Sequence, residues 1–187
     1  MANHGIFIPR QIGAMNVDIW NRHAIAGSTV NADIDNGSVF PLLRKSSEVD
    51  EFEVWIAGSP TTSASTSDVL WMAYSGEDFM PSLQTTGGAD NIKNFTNTNG
   101  KVFPAYRPQV HDLITVNADA LLSAYADGDL YIHPVSGELK MDWDTVPGTG
   151  LAYKLIQTTT FAFGSTSLNS SFGSGRETAY IFECIQA

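Results

Sequence analysis

The chain has 187 residues, enough for one domain with an arm or a small second lobe. Hydrophobic residues make up 43% of it and charged residues only 16%, which excludes wholesale disorder and suits a β-rich chain with Ser, Thr, Asn and Gly on its surface. The formal net charge of −10 argues against nucleic acid as a partner, because phosphates repel an acidic surface.

The first 29 residues differ from the rest. Pro9, Gly13 and Gly27 interrupt any long element. Ile6, Phe7, Ile8, Ile12, Met15, Val17, Ile19 and Trp20 recur at a loose period of two. This pattern predicts an extended N-terminal arm rather than an amphipathic helix. An apolar arm with no core of its own must lie on its own domain or on a neighbouring subunit. Ile6, Phe7, Ile8 and Trp20 are therefore the candidate partner-interface residues. No basic segment leads into an apolar one, so the N-terminus does not read as a signal peptide. No stretch approaches the ~20 apolar residues of a membrane helix. The expectation is a chain made and folded in cytoplasm, with no membrane partner.

Residues 30–187 read as a single β-rich domain. Val39 to Leu43 follows the turn signal Asp35-Asn36-Gly37. Phe52, Val54 and Ile56 alternate with Glu51, Glu53 and Trp55. Val69 to Tyr74 is a near-continuous apolar run, expected to be covered on both faces. Ser59 to Ser67 reads as a surface loop. Ser75 to Gly100 is rich in Gly, Asn, Thr and Ser and shows no periodicity, so a long excursion is expected there.

Further strand signals fall at Lys101 to Tyr106, Leu113 to Val116, Leu130 to His133 and Leu139 to Met141. Asp119 to Tyr125 is the one short helix expected, capped by Asn117 or Asp119 and ended before Gly128. Leu151 to Phe163 suits one long strand or a hairpin. A second Gly/Ser loop spans Gly164 to Gly175, and a strand at Ala179 to Ile185 closes the chain. The fold class predicted is mainly β: a compact barrel or sandwich with one short helix and long polar loops.

The motif search points to no catalytic residue, no cofactor and no metal. The four histidines, His4, His23, His111 and His133, lie far apart in sequence. Asp33/Asp35, Asp127/Asp129 and Asp142/Asp144 do not complete a calcium loop and read as turn chemistry. Cys184 lies in an alternating run and reads as a buried structural thiol. Glu51, Glu53 and Trp55 share a strand face, which keeps a small carbohydrate-binding patch open.

Four segments together resemble the capsid decoration, or cement, proteins of tailed bacteriophages. They are Ala32-Asp33-Ile34-Asp35-Asn36-Gly37-Ser38-Val39, then Glu53-Val54-Trp55-Ile56-Ala57-Gly58-Ser59-Pro60, then Asp112-Leu113-Ile114-Thr115-Val116-Asn117-Ala118-Asp119-Ala120-Leu121. The fourth is the hairpin of Asp127-Gly128-Asp129-Leu130 with Gly137-Glu138-Leu139-Lys140. They cover about half of the chain and are turn-and-strand patterns, not catalytic signatures. His111 stands where the family has a glycine.

The resemblance implies a non-enzymatic protein on the outer capsid surface of a virion, present in host cytoplasm before assembly. It implies the major capsid protein as partner, and a homo-oligomer with a trimer favoured. A carbohydrate- or receptor-binding virion module, such as a fibre or tail component, is the alternative.

Overall fold

A computed structural model describes residues 5–27, 30, 32–47, 53–60, 69–75, 96–162 and 176–187. The protein is mainly β. Eleven strands are seen among the described residues: β1 (Phe7–Gln11), β2 (Asn21–Ala26), β3 (Val39–Lys45), β4 (Val54–Ala57), β5 (Leu70–Ala73), β6 (Phe103–Tyr106), β7 (Leu113–Asn117), β8 (Tyr131–Pro134), β9 (Met141–Asp144), β10 (Ala152–Ala162) and β11 (Arg176–Gln186). Six of them form a sheet in the order β1-β7-β11-β10-β8-β9. The other five form a second sheet, β2-β4-β3-β5-β6, which closes through pairing of β6 with β2. In that ring only β2 and β4 run parallel.

The two sheets share one core. Phe7, Ile114, Val116, Ile132, Trp143, Tyr153 and Phe182 of the six-stranded sheet pack in a single cluster with Val39, Met72 and Tyr106 of the closed sheet. A second cluster fills the closed sheet itself, with Phe40, Trp71 and Phe103 among small residues Ala24, Ala57, Ala73 and Ala105. Alanines line it because a five-stranded ring leaves little interior volume, and a few aromatic rings fill what remains. The run Val69 to Tyr74 behaves as expected of a strand covered on both faces: Trp71, Met72 and Ala73 are all buried.

The N-terminal segment is not an arm. β1 pairs with β7, with Phe7 opposite Val116 and Ile8 opposite Thr115. Ile6 is 0% and Phe7 2% exposed. Asn117 ties the segment down twice, accepting from Ile6 N–H at 2.8 Å and donating its own N–H to Ile6 O at 3.2 Å. Gly5 permits the close approach, since a Cβ there would lie 2.5 Å from Ala120 Cα. Farther on, Asn21–Ala26 is β2 of the closed sheet. The apolar residues at period two mark strands of the chain's own core.

The helix expected over Asp119 to Tyr125 contracts to a 3-10 turn, Ala118–Ala120. Two tertiary demands end it. Asn117, its expected cap, instead gives its side-chain oxygen to Ile6. Leu121 is extended and buried, and Leu122 N–H donates to Met141 O at 3.0 Å, which draws the chain alongside β9. Two shorter 3-10 turns, Gly13–Asn16 and Asp18–Trp20, join β1 to β2.

The excursion expected over Ser75 to Gly100 lies outside the described residues from 76 to 95, and the Gly/Ser loop 164–175 lies outside them too. The two ends of the excursion meet. Ser75 hydroxyl contacts Asn97, and Ser75 N–H donates to Asn36 Oδ1 at 3.0 Å. Asn97 in turn donates to Ile34 O at 2.8 Å and pairs backbone with Ile34. The turn signal Asp35-Asn36-Gly37 thus also supplies the clasp, and Gly37 takes the positive φ of 84° that the turn needs.

Candidate functional site

The polar side chains singled out in the sequence are committed to the backbone. Asp112 is the best example. It is 3% exposed, and its two oxygens accept from Gly13 N–H and Gln109 N–H, each at 2.7 Å. Burial holds its carboxyl above the usual carboxylate range in spite of those two bonds. The residue before it, His111, has φ of 76°. That is the left-handed conformation that glycine takes freely, and it falls at the position where the resemblance led one to expect a glycine. The exposed His111 ring reaches Glu183 at 2.8 Å.

The acidic pairs act as turn chemistry. Asp33 accepts from Asn99 N–H at 2.8 Å, and Asp129 from Ala126 N–H at 2.8 Å. Asp144 accepts from Thr145 and Val146 N–H and lies 3.1 Å from His133 Nε2. The Val146 bond, with His133, lowers its pKa from the ordinary carboxylate value. Among the described residues no three His, Cys, Asp or Glu side chains converge as a metal site would require. Cys184 is buried, and desolvation, with Asp112 adding to it, pushes its thiol up to about 12. It is therefore protonated at neutral pH and is a poor nucleophile.

The carbohydrate patch does not assemble as expected. Glu51 lies outside the described residues, and Glu53 pairs with Lys45 at 2.5 Å. Trp55 shares its strand face with Ala57, which sits in the closed sheet's core, and its indole N–H is buried. A sugar platform needs an open ring face, and this ring is half-buried instead.

Of the four candidate interface residues, Ile6 and Phe7 are removed by burial. Ile8 is 37% exposed, and Trp20 is half-buried against the main core. Sequence reasoning missed Ile19, which is 66% exposed beside Trp20. Trp20 lies against Gly13, next to the Asp112 loop, and Trp20 O accepts from Arg107 N–H at 2.8 Å. The loop also presents Val110, 47% exposed. Ile19, Trp20 and Val110 thus belong to one framework held by Asp112.

A second apolar region surrounds the β8-β10 junction. Leu130 is 46% and Ile156 52% exposed, and Leu155 N–H donates to Leu130 O at 2.8 Å. Tyr125 lies on Trp143 and Tyr180, with ring centroids 5.1 Å and 6.0 Å away. The signal for this region was present in the uncharged run Leu151 to Phe163, but nothing in the run says which part lacks a neighbour.

What the fold defines is a mainly β protein built from a six-stranded sheet on a closed five-stranded one. Comparisons with known protein families, with curated proteins and with solved structures find no match.

Proposed function

We propose that this protein is a non-enzymatic structural component that binds the outside of a phage capsid and bridges its major capsid subunits. The observation that carries this reading is the Asp112 framework. A buried carboxylate holds two loops by their N–H groups, and the product of that rigidity is an exposed apolar group at Ile19, Trp20 and Val110. Lasting interfaces centre on such preorganised apolar anchors, Trp prominent among them. Four turn-and-strand segments that resemble the decoration proteins support the same reading. Ile8, on the exposed face of β1, adjoins Arg10 and extends the apolar surface of the N-terminal segment.

A binder that contacts only the assembled shell stabilises it by mass action, since its binding energy is lost when the shell comes apart. The test compares expanded shells with and without the purified chain under heat. Decorated shells should retain their DNA at temperatures where bare ones release it, and Ile19→Asp should abolish the protection. Equal loss from both sinks the reading. Binding of the chain to a glycan array would then favour the receptor-binding module.

A further inference from the structure

The six-stranded sheet has two formal edges, and both are guarded against other strands. At β1, Pro9 lacks an N–H, and the pairing with β7 shifts register between Pro9 and Gln11. At β9, Asp142 and Asp144 place two carboxylates on four residues. Proline, irregularity and charge are the usual means by which sheet proteins avoid edge-to-edge pairing.

A third edge carries none of these protections. β10 and β11 form a hairpin of 11 residues each, far longer than the strands beside them. β8 pairs with β10 only at Tyr153 and Lys154, and Leu155 makes the last backbone bond on that side. From Ile156 to Thr160 β10 has no backbone partner on the β8 side among the described residues. Ile156, Gln157, Thr158 and Thr160 are exposed, and Thr159 is half-buried. The stretch Ile-Gln-Thr-Thr-Thr contains no charge, proline or glycine, and four of its five residues are β-branched.

We propose that this stretch of β10 is a docking edge for a second copy of the chain, which adds its own β10 antiparallel across a two-fold axis at Thr158. Charge argues for this occupant. A chain of net charge −10 repels its own copy wherever carboxylates meet, so self-association needs a neutral contact. The axis places Thr158 opposite Thr158 of the second copy, Gln157 opposite Thr159, and Ile156 opposite Thr160. No like charges face each other, and the β-branched pairs suit cross-strand packing. Exposed Leu130 flanks the open edge through its bond to Leu155 and adds apolar area to the contact. The result is an isologous interface, the commonest kind in homo-oligomers, with two hairpins in one continuous sheet.

Sedimentation equilibrium of the full chain over a range of concentrations tests this. The mass should rise with concentration from 20.2 kDa to twice that value. Thr158→Lys sets two ammonium groups against each other and should weaken association by about tenfold or more. Its melting temperature should match the native chain's, because Thr158 is exposed. Thr158→Cys should give a covalent dimer on oxidation, whereas Val102→Cys, exposed on the closed sheet's side, should not. Buried Cys184 supplies no competing thiol. A monomer at every concentration, a closed trimer, or a dimer as strong in Thr158→Lys as in the native chain would each overturn the proposal. Shell binding is a separate measurement, so failure here leaves the capsid reading to its own test.

Discussion

Asp112 and His111 show how much one turn carries. Removing the Asp112 carboxylate strands two buried N–H groups, those of Gly13 and Gln109, and each such loss costs on the order of 1–3 kcal/mol. Asp112→Ala should therefore lower the unfolding free energy by about 2 kcal/mol or more, measured by urea denaturation. Asp112→Asn keeps one acceptor and should cost less. Its pH dependence has a definite sign. The folded pKa of Asp112 is raised, so its contribution is full below the ordinary carboxylate pKa and is lost as pH rises through the folded value. The native chain's advantage over Asp112→Asn should therefore be largest in acid and narrow with rising pH. An advantage that widens instead would mean the carboxylate is stabilised, not strained, by its burial. At His111, φ of 76° costs any β-branched side chain more than histidine, so His111→Val should destabilise by about 1–2 kcal/mol. His111→Gly relieves that strain, and the exposed His111–Glu183 pair it removes is worth only about 0.2–1 kcal/mol. Thermal melts of both variants should rank glycine above valine.

At the scale of elements, β1 has the larger consequence. An arm ordered by another subunit would be dispensable to the isolated chain, and β1 is not an arm. Deleting Met1 to Arg10 removes Ile6 and Phe7 from the main core and leaves Asn117, Ile114 and Val116 without cover. Phe7→Ala alone should cost about 3–5 kcal/mol. The deletion should lower the melting temperature steeply or leave the chain unfolded, and a melt within a few degrees of the native chain's would contradict the burial described. The excursion should behave in the opposite way. Ser75 and Asn97 already touch, so the fold does not need the residues between them to bring its ends together. Replacing residues 76–95 with a short Gly/Ser linker should shorten the loop at an entropic gain of about 1 kcal/mol or less. Asn97→Ala, by contrast, breaks bonds to Ile34 and Asn36 inside the clasp and should destabilise clearly.

For the whole molecule, the acidic balance and the neutral surfaces divide the work of association. Charge acts at a distance and sets encounter rates, whereas Ile19, Trp20 and Val110 set the lifetime of a contact. Added salt should therefore change the rate of shell binding more than its final affinity, and Ile19→Asp should act chiefly on the dissociation rate. Surface plasmon resonance on immobilised shells separates the two. A dissociation rate that Ile19→Asp leaves unchanged would move the docking site elsewhere on the molecule.

The sequence by itself determined that the protein is β-rich and where most of its strands lie. Alternation and turn residues are local signals: Val39 to Leu43, Val69 to Tyr74, Leu113 to Val116 and Ala179 to Ile185 all fall within strands or overlap them closely. It also marked Asp35-Asn36-Gly37 as a turn and Cys184 as a buried thiol, because both depend on neighbours a few residues away. Only the tertiary structure decided which apolar residues face inward. Ile6 and Phe7 look the same in sequence as Ile19 and Ile8, yet the first two are covered by β7 and its neighbours from more than a hundred residues away. The helix after Asn117 failed for the same reason, since Ile6 took the side chain that would have capped it and Met141 drew the following residues into extended backbone. The open edge of β10 is likewise a property of β8's length, and no residue of β10 records where a neighbouring strand stops.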